Sequence, residues 1–190
     1  MIRLGVLGST RGTDLQAILD AIQNHTLDAE VVVVVSNRNK SYILERARHH
    51  NISDVFVSQK GKTRDEFDRE ITATLLQHGA DLVLLIGFMR ILSAEFCQKW
   101  HDRILNVHPS LLPKYAGGMD NDIHEEVLRN GDVETGCTIH FVTEEVDAGP
   151  ILIKKKCTVA GKDTVESLKT KVQQLEGMAF IEAIKMIANK

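Results

Sequence analysis

Asn106 and His108 stand two residues apart at the end of the apolar run Ile104-Leu105, just before Pro109-Ser110-Leu111-Leu112-Pro113-Lys114-Tyr115. In a strand, residues i and i+2 point to one face, so an amide and an imidazole reach the same small volume. That pairing suits acyl transfer, which needs a donor for a developing oxyanion and a group that titrates near neutral pH. An isolated Asn-x-His is also what a strand end meeting solvent looks like. Downstream, Glu144-Glu145-Val146-Asp147-Ala148-Gly149-Pro150 offers a carboxylate that can orient His108 and raise its pKa. The same residues suit a plain turn before Gly-Pro. Gly8-Ser9-Thr10-Arg11-Gly12-Thr13-Asp14 joins a strand to a helix start, where backbone N–H groups can hold a phosphate. It is neither GxGxxG nor a P-loop, and Thr13 or Asp14 can serve simply as a helix cap. His140 falls inside a strand and is read as structural. His124 opens a helix after the Pro113–Gly118 loop. The other histidines share no HxxxH or HxH spacing, which gives no metal site.

Positioning these groups requires strands and helices in alternation. Ile2–Gly8 reads as a strand, followed by a helix with Leu15, Ile18, Leu19 and Ile22 on one face. Val31–Val35 is an unbroken β-branched run, the mark of a strand covered on both faces in a parallel sheet. The spacing predicts a helix over 42–49, a strand near 55–57, a helix from 63 to 78 carrying Phe67, Ile71 and Leu75, and strands at 82–86 and 104–107. This order implies right-handed crossovers and a doubly wound α/β sheet. The last third differs: a helix near 122–129, strands near 137–142 and 151–157 joined closely enough for an antiparallel return, and a long helix over 163–187. Open parallel sheets bind ligands at the carboxyl ends of their strands, near the switch in strand order. The loops 8–14, 87–92 and 108–118 qualify.

Composition narrows the possibilities. A chain of 190 residues is long enough for one well-packed domain and short for two. A formal charge of −3 gives no general reason to expect nucleic acid or an anionic membrane as partner. The longest apolar runs are too short to span a bilayer, and no leader with a cleavage site is visible at the start. Three widely spaced cysteines (Cys97, Cys137, Cys157) argue against a disulfide framework. A cytoplasmic location is the expectation.

Three segments, Gly87-Phe88-Met89-Arg90-Ile91-Leu92, Asn106-Val107-His108-Pro109-Ser110-Leu111-Leu112-Pro113 and Val146-Asp147-Ala148-Gly149-Pro150, together resemble the folate-dependent formyltransferases. The resemblance runs over nearly the whole chain. Leu15-Gln16-Ala17-Ile18 and Leu44-Glu45-Arg46-Ala47 narrow it to the branch that acts on glycinamide ribonucleotide in de novo purine biosynthesis. It implies one Rossmann-like formyltransferase domain over residues 1–190, with Asn106, His108 and Asp147 as the catalytic trio. It also implies 10-formyltetrahydrofolate as formyl-donor cosubstrate and no metal. The donor site would comprise Arg64, Met89, Arg90, Ile91, Leu92, Thr143, Glu144, Glu145, Val146 and Asp147. The ribonucleotide site would comprise Gly12, Thr13 and Asp14 at the phosphate, and Gln173, Gln174, Leu175 and Glu176 of the last helix, with Glu176 near the glycinamide amine. The implied partners are these small molecules, with no nucleic acid and no membrane, and the implied state is a monomer or homodimer.

Other members of the superfamily leave alternatives: transfer to another amine such as that of a sugar nucleotide, or a non-catalytic ligand-binding relative. A formyltetrahydrofolate hydrolase would be expected to carry an N-terminal regulatory domain, and a methionyl-tRNA formyltransferase a C-terminal one. This chain departs from the family pattern in several places. Ser9-Thr10-Arg11-Gly12-Thr13-Asp14 replaces the usual Ser-Gly-x-Gly-Ser-Asn, which sets a carboxylate where a phosphate is expected. The loop after Tyr115, over 117–124, is about three residues longer than in many relatives. Gly177 replaces the usual His, and the chain stops early at Lys190.

Overall fold

Strand β4 (Leu82–Ile86) shows why continuous apolar runs mark this sheet: Leu82, Leu84 and Ile86 enter one core, while Val83 and Leu85 enter another. A strand sandwiched between two helical layers has no solvent face, so it needs no polar alternation. The structure, a computed structural model, describes residues 1–189; Lys190 and the Asp120 side chain lie outside that description.

In chain order the elements are β1 (Ile2–Gly8), α1 (Thr13–Gln23), β2 (Ala29–Ser36), α2 (Tyr42–His49), β3 (Ser53–Phe56), α3 (Arg64–Gln77), then β4. After β4 come α4 (Ala94–Lys99), β5 (Ile104–His108), α5 (Asp120–Arg129), β6 (Glu134–Phe141), β7 (Ile151–Thr158) and α6 (Val165–Ala188). The strands form one sheet in the order β3-β2-β1-β4-β5-β6-β7. Pairing is parallel from β3 to β5 and antiparallel at β5–β6 and β6–β7. The expected doubly wound α/β fold is therefore present, with its switch in strand order between β1 and β4.

Helices α1, α2 and α6 cover one face through Leu15, Ile18, Ile43, Leu44, Val172 and Phe180. Helices α3 and α4 cover the other through Phe67, Ile71, Leu75, Phe96 and the fully buried Trp100. On β5, Leu105 belongs to the first core and Ile104 to the second. The period of two then carries Asn106 and His108 to the α3/α4 side.

Several sequence expectations need correction. The helix start after β1 is capped by neither Thr13 nor Asp14. Gly12 is the N-cap, in the left-handed region at φ 67°, and a Cβ there would lie 2.5 Å from Ile43 Cγ1. Both backbone and packing thus require glycine. The 82–86 to 104–107 interval contains α4, too short to show a clear period. Ser93 caps it by accepting a hydrogen bond from the Phe96 N–H at 3.2 Å, and Phe96 and Cys97 pack it down. Helix α6 starts after Thr164, whose side chain forms a capping box with Ser167, so Asp163 stands outside it.

Gly177, the residue that departs from the family pattern, has a packing reason. A Cβ at 177 would lie 2.6 Å from the Ala17 Cβ, so the glycine lets α6 approach α1 closely. Gly177→Ala is expected to cost about 1–3 kcal/mol in urea unfolding. Adding Ala17→Gly should recover part of the loss. A Gly177→Ala variant as stable as the parent would show that the helices separate freely at this point.

Candidate active site

Asp147 gathers the site. Its side chain is nearly buried and sits at φ 55°, in the loop between β6 and β7. Oδ2 lies 3.2 Å from His108 Nδ1 and accepts the Gly117 N–H at 2.8 Å, while Oδ1 lies 3.5 Å from His140 Nε2. On the other side of His108, Nε2 lies 2.9 Å from the Tyr115 carbonyl. A carbonyl and a carboxylate only accept, so both ring nitrogens of His108 face acceptors. Burial pushes the His108 pKa below its ordinary value, while Asp147 and the Tyr115 carbonyl pull it back up. For Asp147, burial alone would raise the pKa. His140, the Gly117 N–H and the positive charge available on His108 outweigh it and hold the carboxyl below the usual range.

His140, read from the sequence as a structural strand residue, stands in this network. It stands directly opposite Asn106 in the antiparallel β5–β6 ladder. Its Nδ1 lies 2.9 Å from the Phe141 carbonyl, so Nδ1 carries the proton. Nε2 lies between the Asn106 Nδ2 donor at 3.2 Å and Asp147 Oδ1 at 3.5 Å, accepting from the amide when the ring is neutral and donating to the carboxylate when it is protonated. Cross-strand pairing, which the sequence does not display, is the signal that was missing. The structure thus brings Asn106, His108 and Asp147 together and sets His140 beside them.

Around this cluster the sheet sorts the other candidates onto two sides. On the α3/α4 side, Arg64, Asp65, Leu92, Ser93, Ala94 and Glu144 line a cleft of about 510 Å³, within the range of small-molecule sites. Arg90 stacks over the Phe67 ring at 4.4 Å from its centroid, and Gln98 Nε2 donates to Glu144 at 3.0 Å. Met89, Ile91 and Val146 expose apolar surface nearby, Thr143 Oγ1 donates to the Glu145 carbonyl at 3.2 Å, and Leu92 is buried. Beneath them Asp68 Oδ2 accepts the Ser93 N–H at 2.6 Å and fixes the end of loop 87–93. Ser9 ties three loops together: Oγ donates to Asn37 Oδ1 at 2.6 Å and accepts the Met89 N–H at 3.1 Å.

On the α1/α6 side, Gly12, Thr13 and Asp14 open α1, and Glu176 lies on α6. Burial, aided by the buried carboxylates of Glu176 and Asp14, pushes the Cys137 thiol on β6 up to about 12. The Asp14 carboxylate therefore sits within electrostatic reach of the α1–α6–β6 junction. Gln173 is half-buried, Gln174 is exposed, and Leu175 packs against the core. A larger cleft of about 850 Å³ lies around Met1, Arg3, Ala29, Glu30 and Ile52, at the opposite end of β1 and β2, and includes none of the candidates. Ligands of open α/β sheets sit at the carboxyl ends of the strands, so the smaller cleft is the relevant one. Among the described residues, no group of three or more His, Cys, Asp and Glu is placed to hold a metal ion, and no helix is long and apolar enough to cross a membrane.

The formyl transferase family matches residues 2–184 of the chain. Phosphoribosylglycinamide formyltransferase of Escherichia coli is 38% identical over 185 residues, covering 97% of this chain and 86% of that protein. The human trifunctional purine biosynthetic protein adenosine-3 is 39% identical over 188 residues, and there the chain spans only 18% of the relative's length. Among solved structures, glycinamide ribonucleotide transformylase 1 from Symbiobacterium toebii superimposes with a TM-score of 0.94 at 39% identity, covering 100% of this chain and 88% of that one.

Because burial lowers the His108 pKa, the unfolded chain binds more protons in the interval just below the ordinary histidine value. Stability from this group is complete above that interval and falls as pH drops through it. Asp147 opposes the shift, so in Asp147→Asn the His108 pKa should fall further. A histidine-detected NMR titration reads this directly, and a rise in Asp147→Asn would contradict the electrostatic coupling.

Proposed function

The chain belongs to the formyl transferase family, and from that premise we propose that it transfers the formyl group of 10-formyltetrahydrofolate to the primary amine of glycinamide ribonucleotide. The products are formylglycinamide ribonucleotide and tetrahydrofolate. The observation that carries the reading is the Asn106–His140–Asp147–His108 cluster at the carboxyl end of β5, with both imidazoles buried. It combines an oriented amide donor with a histidine that can move one proton.

The neutral acceptor amine attacks the formyl carbon, forming a C–N bond and a tetrahedral intermediate with an oxyanion. The Asn106 amide has two N–H bonds. One is held by His140, and the other donates to the oxyanion, a kind of contact worth roughly 3–4 kcal/mol in other enzymes. His108, exchanging its Tyr115 carbonyl contact for the reacting nitrogens, takes the proton released by the attacking nitrogen and delivers it to the folate nitrogen as the old C–N bond breaks. When His108 is protonated, its two N–H groups match Asp147 and the Tyr115 carbonyl, which lowers the cost of the charged state. Asp147 remains ionised throughout. The donor's flat ring system fits the apolar surface of Met89, Ile91 and Val146 and the backbone of residues 143–147. Arg64 and Arg90 face its glutamate end.

The acceptor's phosphate fits the start of α1. Gly12 supplies no side-chain cap, and a helix N-terminus of this kind suits an anion. Glu176 on α6 suits the amine end. The Asp14 charge opposes the phosphate, so Asp14→Asn should lower the acceptor KM by about fivefold with little change in kcat. An unchanged KM would place the phosphate away from α1.

Formation of tetrahydrofolate product, followed spectroscopically with purified protein, tests the activity. Glycinamide ribonucleotide should be a substrate and a sugar-nucleotide amine should not. Turnover with the sugar nucleotide alone would overturn the acceptor assignment. Asn106→Ala should lower kcat roughly 100-fold or more while leaving donor KM nearly constant. A pure KM effect would remove Asn106 from the oxyanion.

A further inference from the structure

Tyr115 stands in the left-handed region at φ 63°, a conformation that costs an L side chain energy and needs something to hold it. Its own side chain supplies the hold. The hydroxyl donates to Asp132 Oδ2 at 2.8 Å and accepts from Asn130 Nδ2 at 2.9 Å. Lys114 Nζ donates to Asp132 Oδ1 at 2.5 Å, so one carboxylate grips two consecutive side chains. Tyr115 also packs against the small apolar cluster of Ile123, Val127 and Leu168.

Asp132 is itself placed by the end of α5. Gly131 turns at φ 65°, its N–H donates to the Leu128 carbonyl at 3.2 Å, and the Asp132 N–H donates to the Val127 carbonyl at 3.2 Å. This is the Schellman pattern, in which a left-handed glycine just past a helix folds the chain back onto the last turn. The Asp132 side chain is 14% exposed, and Lys114 and the Tyr115 hydroxyl hold its carboxyl below the usual range. The grip is therefore a charged one at neutral pH.

The turn that Asp132 grips reaches both members of the proton-handling pair. The Tyr115 carbonyl lies 2.9 Å from His108 Nε2, and two residues on the Gly117 N–H donates to Asp147 Oδ2 at 2.8 Å. With an acceptor at each nitrogen the His108 ring keeps one orientation, and the carbonyl receives the Nε2–H whenever the reacting nitrogens do not. The N–H on Asp147 makes that carboxylate a weaker base, which leaves the proton with His108. Resting on the reading of His108 as proton carrier, we propose that Asp132 is a positioning residue for formyl transfer, keeping the turn 115–117 seated on His108 and Asp147 through Lys114 and the Tyr115 hydroxyl.

Asp132→Ala and Tyr115→Phe should each lower kcat about tenfold, the worth of one hydrogen bond, with the KM of each substrate changed less than about twofold. The double variant should be little slower than Asp132→Ala. Asp132→Asn, which still offers an oxygen to the Tyr115 hydroxyl, should recover most of the rate. A merely structural anchor would leave the His108 titration alone. Burial lowers that pKa, Asp147 and the Tyr115 carbonyl raise it, and a charged His140 lowers it. In both variants the carbonyl loses its hold, so the His108 pKa read by NMR should fall and the acid limb of kcat/KM should move to lower pH. Tyr115→Phe carries the same readouts if Asp132→Ala fails to fold. An unchanged kcat, or a lowered kcat with the His108 titration unmoved, would overturn the proposal. If the titration moves but the wild-type protein transfers no formyl group, the activity reading fails and the positioning stands.

Discussion

Burying a carboxylate costs several kcal/mol unless its oxygens find partners, and the Asp147 side chain is nearly out of solvent. Its partners come from three places: His108 at the end of β5, His140 on β6, and the Gly117 N–H in the loop after β5. His108 and Gly117 are far from Asp147 in sequence. One electrostatic requirement therefore ties two strands and two loops into one arrangement. The pairing also fixes how the imidazoles are used. His140 is held by the Phe141 carbonyl so that it receives the Asn106 amide, while His108 lies between two acceptors. An amide that points one way and a ring flanked by two acceptors suit the proposed formyl transfer between nitrogens.

The sheet supplies the second half of the design. Alternation on β5 sends Leu105 to the α1/α6 core and Asn106 and His108 to the α3/α4 side. The residues proposed for the donor lie beside α3 and α4, those proposed for the acceptor on α1 and α6, and strand order reverses between β1 and β4. Ser9, bonded to both Asn37 and the Met89 N–H, holds these loop ends in register. Gly177 has its place in the same scheme. By letting α6 approach Ala17 of α1, it fixes the distance between the helix that carries Glu176 and the turn that carries Gly12.

Much of this was legible in the sequence, because it follows from local periodicity. The valine run and Leu82–Ile86 marked buried parallel strands, and Asn-x-His marked two side chains sharing a face. The family motifs then supplied Asp147, whose place beside His108 is a long-range contact that no spacing rule reveals. What stayed hidden was likewise long-range or too short to have a period. His140 meets Asn106 only through the β5–β6 register. Helix α4 has six residues, and its stability comes from burying Phe96 and Cys97 and from the Ser93 cap. The cap of α1 was misassigned because a polar Thr-Asp pair follows Gly12, yet the chain must turn through a left-handed conformation against Ile43.

The central claim is that Asp147 acts on the reaction through His108, with the two forming one proton-handling unit. Single-turnover formyl transfer in Asp147→Asn, His108→Ala and the double variant tests it most directly. Groups that work as a unit give strongly non-additive losses. The double variant should therefore be little slower than His108→Ala alone. Losses that multiply in the double variant would show that Asp147 serves the reaction independently, and the account built on their pairing would fail.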